Sequence, residues 1–315
     1  MKEKISTLCI FAAAIVIMMI IGKPSEAFEA EKTVFPETIR IYLTESGETA
    51  EISGAEYIKG CLCAQIPIDY EAEALKAQAA ASATYALRMI ERLKGTSGLP
   101  EGADISDDPK LCQPYFTDAQ INEQYGSDYE RFRDKINEAA VYGTKHIITY
   151  SGEPIYAVYH SVSAGRTCSA LPVWGRELPY LEAADSPWDT SFINFECVNE
   201  MTSEQARLAL ISFDSEIEAP ADCARWFTEM NVNEDGYVIS VKIGRRTFTG
   251  GDIWRIFGLR STAFTVSYSD NIFTFTTKGY GHGAGLSQFG ANEIAKQGYT
   301  VSDILHHYYG KDISF

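Results

Sequence analysis

The chain has 315 residues, of which 45% are hydrophobic and 12% aromatic, ample material for a buried core, which excludes a disordered or collagenous chain. A formal net charge of −16 excludes nucleic-acid binding and docking of the body on anionic lipid through basic patches, because both need a surplus of Lys and Arg. Partners are expected to be neutral, cationic or held by short-range contacts.

Lys2 and Lys4 precede an unbroken apolar run from Leu8 to Ile21, followed by Gly22, Lys23, Pro24 and the small-residue pattern Ser25-Glu26-Ala27, which reads as an export signal. Residues 5–22 approach the roughly 18 residues a spanning helix needs, while Ala27 suits a cleavage site. Residues 1–27 are therefore read either as an anchor kept in the cytoplasmic membrane or as a cleaved signal, the anchor being preferred. In both cases the acidic body lies outside the cytoplasm. Residues 28–37 form a polar linker and residues 38–315 the folded domain.

The segment Thr38 to Thr44 alternates apolar and polar residues and predicts a half-buried strand. Gly54 to Ile66 predicts a short helix, its end marked by Pro67. The strongest helix signal follows, Tyr70 to Arg88, with Asp69 as the expected N-cap, acids in the first turn and alanine throughout. Alanine lets neighbouring backbones approach closely, so this helix is expected to be central and enclosed. Lys94 to Tyr115, rich in Gly, Pro and Asp, predicts a long surface loop, and residues 117–140 a polar helical stretch. Ile147 to Tyr150 and Pro154 to His160 bracket Ser151-Gly152-Glu153 as a hairpin. Further on, Tyr237 to Ile243, Ala263 to Tyr268 and Ile272 to Thr277 predict strands, and Asn292 to Lys296 and Val301 to Tyr308 helices. Strands and helices mix without a regular βαβ beat, which predicts an α+β fold around the Ala-rich helix.

Of seven cysteines, Cys9 lies in the apolar segment. The even six that remain, Cys61, Cys63, Cys112, Cys168, Cys197 and Cys223, predict at least one disulfide in an exported chain. The alternative is that several are small buried apolar residues. Zinc is a weaker candidate, because Cys61-x-Cys63 is too close for a knuckle and His160 with Cys168 supplies only two of four ligands. No metal or other cofactor is expected.

Three clusters carry possible chemistry. One is Cys63-Ala64-Gln65-Ile66-Pro67 with the Ala-rich helix. The second is Tyr159-His160-Ser161-Val162-Ser163-Ala164-Gly165-Arg166-Thr167, with Val173-Trp174-Gly175 and Asp185-Ser186-Pro187-Trp188-Asp189 downstream. The third runs from Gly279 to Gly290, where glycines free the backbone to approach a ligand and His282, Ser287 and Gln288 supply hydrogen bonds. The spacing is not a dinucleotide fingerprint.

Together these stretches resemble the stage II sporulation protein D family, whose founding members are lytic transglycosylases of peptidoglycan. The matching stretches, from about residue 38 to the C-terminus, are Glu73-Ala-Leu-Lys-Ala-Gln78 with Thr84-Tyr85-Ala86; Cys112-Gln113 before Tyr115; Tyr159-His160-Ser161 with Gly165-x-Thr167; Leu178-Pro-Tyr-Leu181 with Asp185-Ser-Pro187; Gly258-Leu-Arg-Ser261; and Gly281-His-Gly283 with Ser287-Gln288 and Tyr308-Tyr-Gly310. The resemblance implies an extracytoplasmic protein at the mother-cell membrane during sporulation. It further implies peptide-stripped peptidoglycan glycan strands as ligand, held in one cleft, and a cell-wall amidase as partner. Gln65 and His282 are then expected near one another.

By the same resemblance the catalytic Glu lies two residues before the Pro that precedes the Ala-rich helix, and an Arg lies just before the helix's Thr-Tyr. This chain has Gln65 and Ala83 there. The reaction needs one carboxyl group that protonates the glycosidic oxygen and then, as carboxylate, deprotonates the C6 hydroxyl that closes a 1,6-anhydro ring. A carboxamide does neither, and acid and base assistance is worth on the order of 10² to 10⁴ in rate, so activity is expected to be lost or weak. Glu73 is the alternative acid, though with Lys76 one turn on it also reads as a helix ion pair. Thr84, Tyr85, His160, Ser161, Thr167, Trp174, His282, Ser287 and Gln288 are the expected glycan contacts. Against this, the histidines also read as scaffold residues, Trp174 as core, and Ser287 and Gln288 as caps of the following helix. An active lytic transglycosylase and a non-enzymatic assembly protein remain the alternatives.

Overall fold

The computed structural model describes residues 34–315, so the export segment, the anchor through residues 5–22 and most of the linker lie outside the described residues. Among the described residues no helix is long and apolar enough to cross a membrane. Helices and several small sheets are mixed, and the chain divides into two compact units, one running to Val158 and resuming from Ala291 to Phe315, the other formed by Tyr159–Gly290.

In the first unit, β1 (Thr38–Leu43) pairs antiparallel with β2 (Glu48–Ser53). Its alternation holds, with Ile39 and Ile41 buried and Arg40 outward, ion-paired with Asp104 at 2.7 Å. The long loop is not wholly irregular, because β3 (Ile105–Ser106) adds parallel to β1. Helix α1 (Gly54–Gln65) starts on a capping box in which Ser53 and Glu56 satisfy each other's backbone N–H groups.

Helix α2 (Ala72–Leu93) is enclosed, every residue from Ala77 to Ala86 being buried. Asp69 does not cap it. The chain turns at Pro67, with the Tyr70 N–H bonded to the Pro67 carbonyl, and the helix begins after Glu71, whose N–H is satisfied by the Asn292 side chain at 2.8 Å. No side chain caps the helix, and the Asn292 side chain, 221 positions away, holds the N-cap residue by its own N–H. The polar helical stretch is two helices, α3 (Asp118–Tyr125) and α4 (Ser127–Lys145), because Gly126 adopts φ 51° between them. Gly143 brings α4 against α2: a Cβ there would lie 2.6 Å from the Ala79 carbonyl group. The hairpin forms as expected, β4 (Thr149–Tyr150) pairing with β5 (Glu153–Pro154) across Ser151 and Gly152, both at positive φ.

The second unit opens with β6 (Tyr159–His160) and α5 (Leu171–Trp174). Next come β7 (Glu196–Thr202), α6 (Ser203–Phe213), β8 (Thr228–Val232), β9 (Val238–Ile243), β10 (Arg246–Thr249) and α7 (Gly250–Ile256), then β11 (Phe264–Ser269), β12 (Ile272–Lys278) and β13 (Leu286–Ser287). Two antiparallel sheets result, ordered β10-β9-β8 and β11-β12-β7, while β13 lies parallel to β6. Phe273 and Phe275 on β12 stack with Trp226 and Phe257 respectively to form the aromatic core. The chain ends, back in the first unit, with α8 (Gln288–Lys296, begun in the second), α9 (Val301–Tyr309) and β14 (Ile313–Ser314), which pairs with β4.

The expected disulfide is not formed. The six cysteines from Cys61 to Cys223 are free, all but Cys197 buried, and burial pushes the thiols of Cys63 and Cys112 up to about 12. They pack as small neutral apolar groups.

Candidate functional site

Gln65, the last residue of α1, is half-buried. Its Nε2 donates to the Pro114 carbonyl at 2.8 Å and to Oε1 of Gln113 at 3.4 Å. Gln113, itself only 3% exposed, donates from Nε2 to the Ser82 carbonyl on α2 at 2.9 Å and to the Tyr57 hydroxyl at 3.2 Å. Gln78 continues the chain, donating to Ser82 Oγ at 3.1 Å. Amides thus tie α1, the loop and α2 together. Ala83 sits on α2 with no exposed surface.

Glu73 is engaged on both oxygens: one pairs with Lys76 at 3.2 Å, the other accepts the Val301 N–H at the start of α9 at 2.8 Å. The ion pair one turn on is therefore present, and Lys76 is shared with Glu138 at 2.8 Å. Thr84 is fully buried, its hydroxyl donating to the Ala80 carbonyl and accepting the Ile148 N–H. Tyr85 is 4% exposed with its hydroxyl unbonded, and burial raises its pKa.

In the second unit the Gly279–Gly290 segment runs beside residues 159–168. Val162 bridges Tyr280, Cys168 bridges Ala284, and β13 pairs with β6. The glycines serve this packing: a Cβ on Gly281, at φ 110°, would lie 2.7 Å from the His160 Cβ, and one on Gly283, at φ 82°, 2.3 Å from the Tyr237 ring. The close approach expected toward a ligand is, at these two positions, an approach of the chain to itself.

That packing brings together His160, His282 and Trp174. The two imidazoles lie 5.6 Å apart between centroids, and the Trp174 ring is 5.5 Å from His282. Ala284 fixes both imidazoles: its carbonyl accepts from His160 Nδ1 at 3.1 Å, and its N–H donates to His282 Nδ1 at 3.1 Å. The tautomers are consequently opposite, the proton on Nδ1 in His160 and on Nε2 in His282. Among the described residues the Nε2 of neither ring has a partner at ordinary hydrogen-bond geometry, although both atoms are buried. Burial lowers both pKa values, that of His282 to about 4 with the Tyr159 backbone opposing only part of the fall, and that of His160 with further lowering from His282. Both rings are neutral at neutral pH.

Thr167 is fully buried, exchanging hydrogen bonds with Ala184. Ser287 is buried and accepts the Gly290 N–H at 3.3 Å, the capping arrangement. Ser161 and Trp174 are half-exposed and Gln288 is 5% exposed. Sequence reasoning gave Asp189 no role, yet it is a fully buried carboxyl that accepts the Ser163 N–H at 2.7 Å. Burial raises its pKa, and hydrogen bonds from Ser163, Ser287 and Ser186 oppose the rise. The signal for it was Pro187, which starts the short 3₁₀ turn that carries Asp189 inward.

The comparisons with known proteins settle the family. A profile described as stage II sporulation protein matches residues 42–150. Stage II sporulation protein D of Bacillus subtilis is 32% identical over 294 residues, covering 93% of this chain and 83% of that protein. Its counterpart in Bacillus amyloliquefaciens is 32% identical over 281 residues, covering 89% and 79%. The chain belongs to the stage II sporulation protein D family. An amidase enhancer of Bacillus subtilis is similar at 24% identity over 80% of this chain and 39% of its own length. The position that the family resemblance assigns to the catalytic acid is, in this member, the hydrogen-bonded amide of Gln65.

Proposed function

We propose that this chain is an extracytoplasmic sporulation protein that binds peptide-stripped peptidoglycan glycan strands and has lost most or all lytic transglycosylase activity. The observation that carries the reading is Gln65, a carboxamide donating to Pro114 and Gln113 where the reaction requires a carboxyl. Glu73 is no ready substitute, since Lys76 and the Val301 N–H engage its oxygens and it serves the packing of α2 on α9. The second unit supports glycan binding with neutral hydrogen-bonding groups, His160 and His282, beside the half-exposed Trp174, a combination suited to an uncharged polyhydroxy ligand. Ser161 and Gln288 are further contacts of this kind. The amidase enhancer among its relatives supports a cell-wall amidase as partner, with residues 5–22 holding the chain to the membrane.

Co-sedimentation of the full chain with peptide-stripped glycan strands tests the binding. Retention that free glycan fragments compete away is expected, and Trp174→Ala should weaken it several-fold. A chain that stays in the supernatant contradicts the proposal.

A further inference from the structure

Tyr237 belongs to none of the three clusters, yet it touches both segments that carry the histidines. It stands just before β9, where the β8–β9 turn delivers it. Asn233 Oδ1 accepts the N–H groups of Asp235 at 3.1 Å and of Tyr237 at 2.8 Å, and Gly236 takes φ 84° between them. The Tyr237 side chain is fully buried, and its hydroxyl is used in both directions. It accepts the Ala164 N–H at 2.9 Å and donates to the Arg166 carbonyl at 2.8 Å. The tip of the same ring lies against Gly283, where even a Cβ would collide with it.

Ala164 and Arg166 follow His160 on the first segment, and Gly283 follows His282 on the second. Further bonds close the same seam. Cys168 donates its N–H to the Gly283 carbonyl at 2.8 Å, and Val238, next to Tyr237, donates to the carbonyl of Thr262, whose hydroxyl donates to the His282 carbonyl at 2.9 Å. Ala284, which holds both imidazoles by Nδ1, is the neighbour of Gly283. A shift of the Gly283 backbone is therefore a shift of the bonds that orient both rings.

We propose that Tyr237 is a positioning residue of the histidine site: it sets the register of residues 159–168 against residues 279–290, and with it the hydrogen bonds through which Ala284 fixes both imidazoles. Its consequence for binding rests on the reading of this site as a glycan contact. Tyr237 touches no ligand in this role; it acts through the backbone of the two segments.

The test is Tyr237→Phe in the full chain, which keeps the ring against Gly283 and leaves the Ala164 N–H and the Arg166 carbonyl without their partner. NMR of the imidazole nitrogens reads the positioning directly, since a ring of fixed tautomer shows one protonated and one bare nitrogen. The unsubstituted chain should show the proton on Nδ1 of His160 and on Nε2 of His282. In Tyr237→Phe that pattern should give way to averaging of the two nitrogens in at least one ring, and retention on peptide-stripped glycan strands should fall several-fold. Tyr268→Phe is the control: its hydroxyl hydrogen-bonds Ser203 and Asn271, which lie in neither segment, so a loss of stability alone would show there without a change in the imidazoles. If Tyr237→Phe does not fold, Asn233→Ala decides, because it loosens the turn that carries Tyr237 from outside both segments, and the same loss of fixed tautomers is expected. Imidazole signals that keep the pattern of the unsubstituted chain, or that change as much in Tyr268→Phe, overturn the proposal, as does glycan retention that holds at the unsubstituted level while the signals change. If the unsubstituted chain binds no glycan, the proposed function falls, and the imidazole signals alone still decide the role of Tyr237.

Discussion

The surroundings of Gln65 and those of His160 and His282 are finished in opposite ways. Around Gln65, amides pass hydrogen bonds from α1 through the loop to α2. Around the histidines, one backbone residue fixes both rings and leaves a lone pair on one Nε2 and a proton on the other, with no partner for either among the described residues. A buried polar atom left unbonded costs about 1–3 kcal/mol. The difference is one of satisfaction: the amides of the first region are tied into backbone and side-chain partners, whereas the second encloses two neutral imidazoles whose Nε2 atoms are buried without a hydrogen-bond partner among the described residues.

The largest expected effect breaks the frame of the first region alone. Gly143→Val places a branched side chain against the Ala79 backbone, where even a Cβ meets atoms at 2.6 Å. Separating α4 from α2 should cost about 3 kcal/mol or more, read as a fall in the urea midpoint.

The second prediction isolates the histidine region by pH. Unfolded, His282 takes up its proton near pH 6.5, whereas in the folded chain it does so only near 4. Between those values the unfolded chain binds more protons, so this residue's contribution to stability is complete above pH 6.5 and is lost as pH falls toward 4, by on the order of 3 kcal/mol. In His282→Phe, unfolding curves across that window should show a distinctly shallower acid decline. An unchanged pH dependence would mean that His282 is already protonated in the folded chain.

The smallest effect concerns Glu73. It is one-third exposed, and its pair with Lys76 is backed by Glu138, so Glu73→Gln should cost under about 1 kcal/mol and leave glycan co-sedimentation unchanged.

Much of the frame was legible locally. The alternation of β1, the Gly54–Ile66 stretch closed by Pro67, the Ser151-Gly152 turn and the alanines of α2 each act within a few residues, and each produced the expected element. What escaped depends on distant partners. Asn292 rather than any nearby side chain holds Glu71 at the start of α2, Gly126 splits one polar helix into two, and the glycines near His282 face His160 and Tyr237. Asp189 lay inside the second cluster, but its burial was not legible there, because the serines that surround it are brought together from three separate stretches. At residue 65 the sequence supplied the change from acid to amide; that Pro114 and Gln113 hold the amide follows only from the fold.

The central claim, that this chain binds glycan strands without cutting them, is tested most directly by incubating the full chain with peptide-stripped strands and measuring 1,6-anhydro ends by mass spectrometry. The account predicts none above background for the unsubstituted chain and a small gain on Gln65→Glu, which restores a group able to give and take the proton. Anhydro ends released by the unsubstituted chain and abolished by Glu73→Gln, with the fold intact, would contradict it.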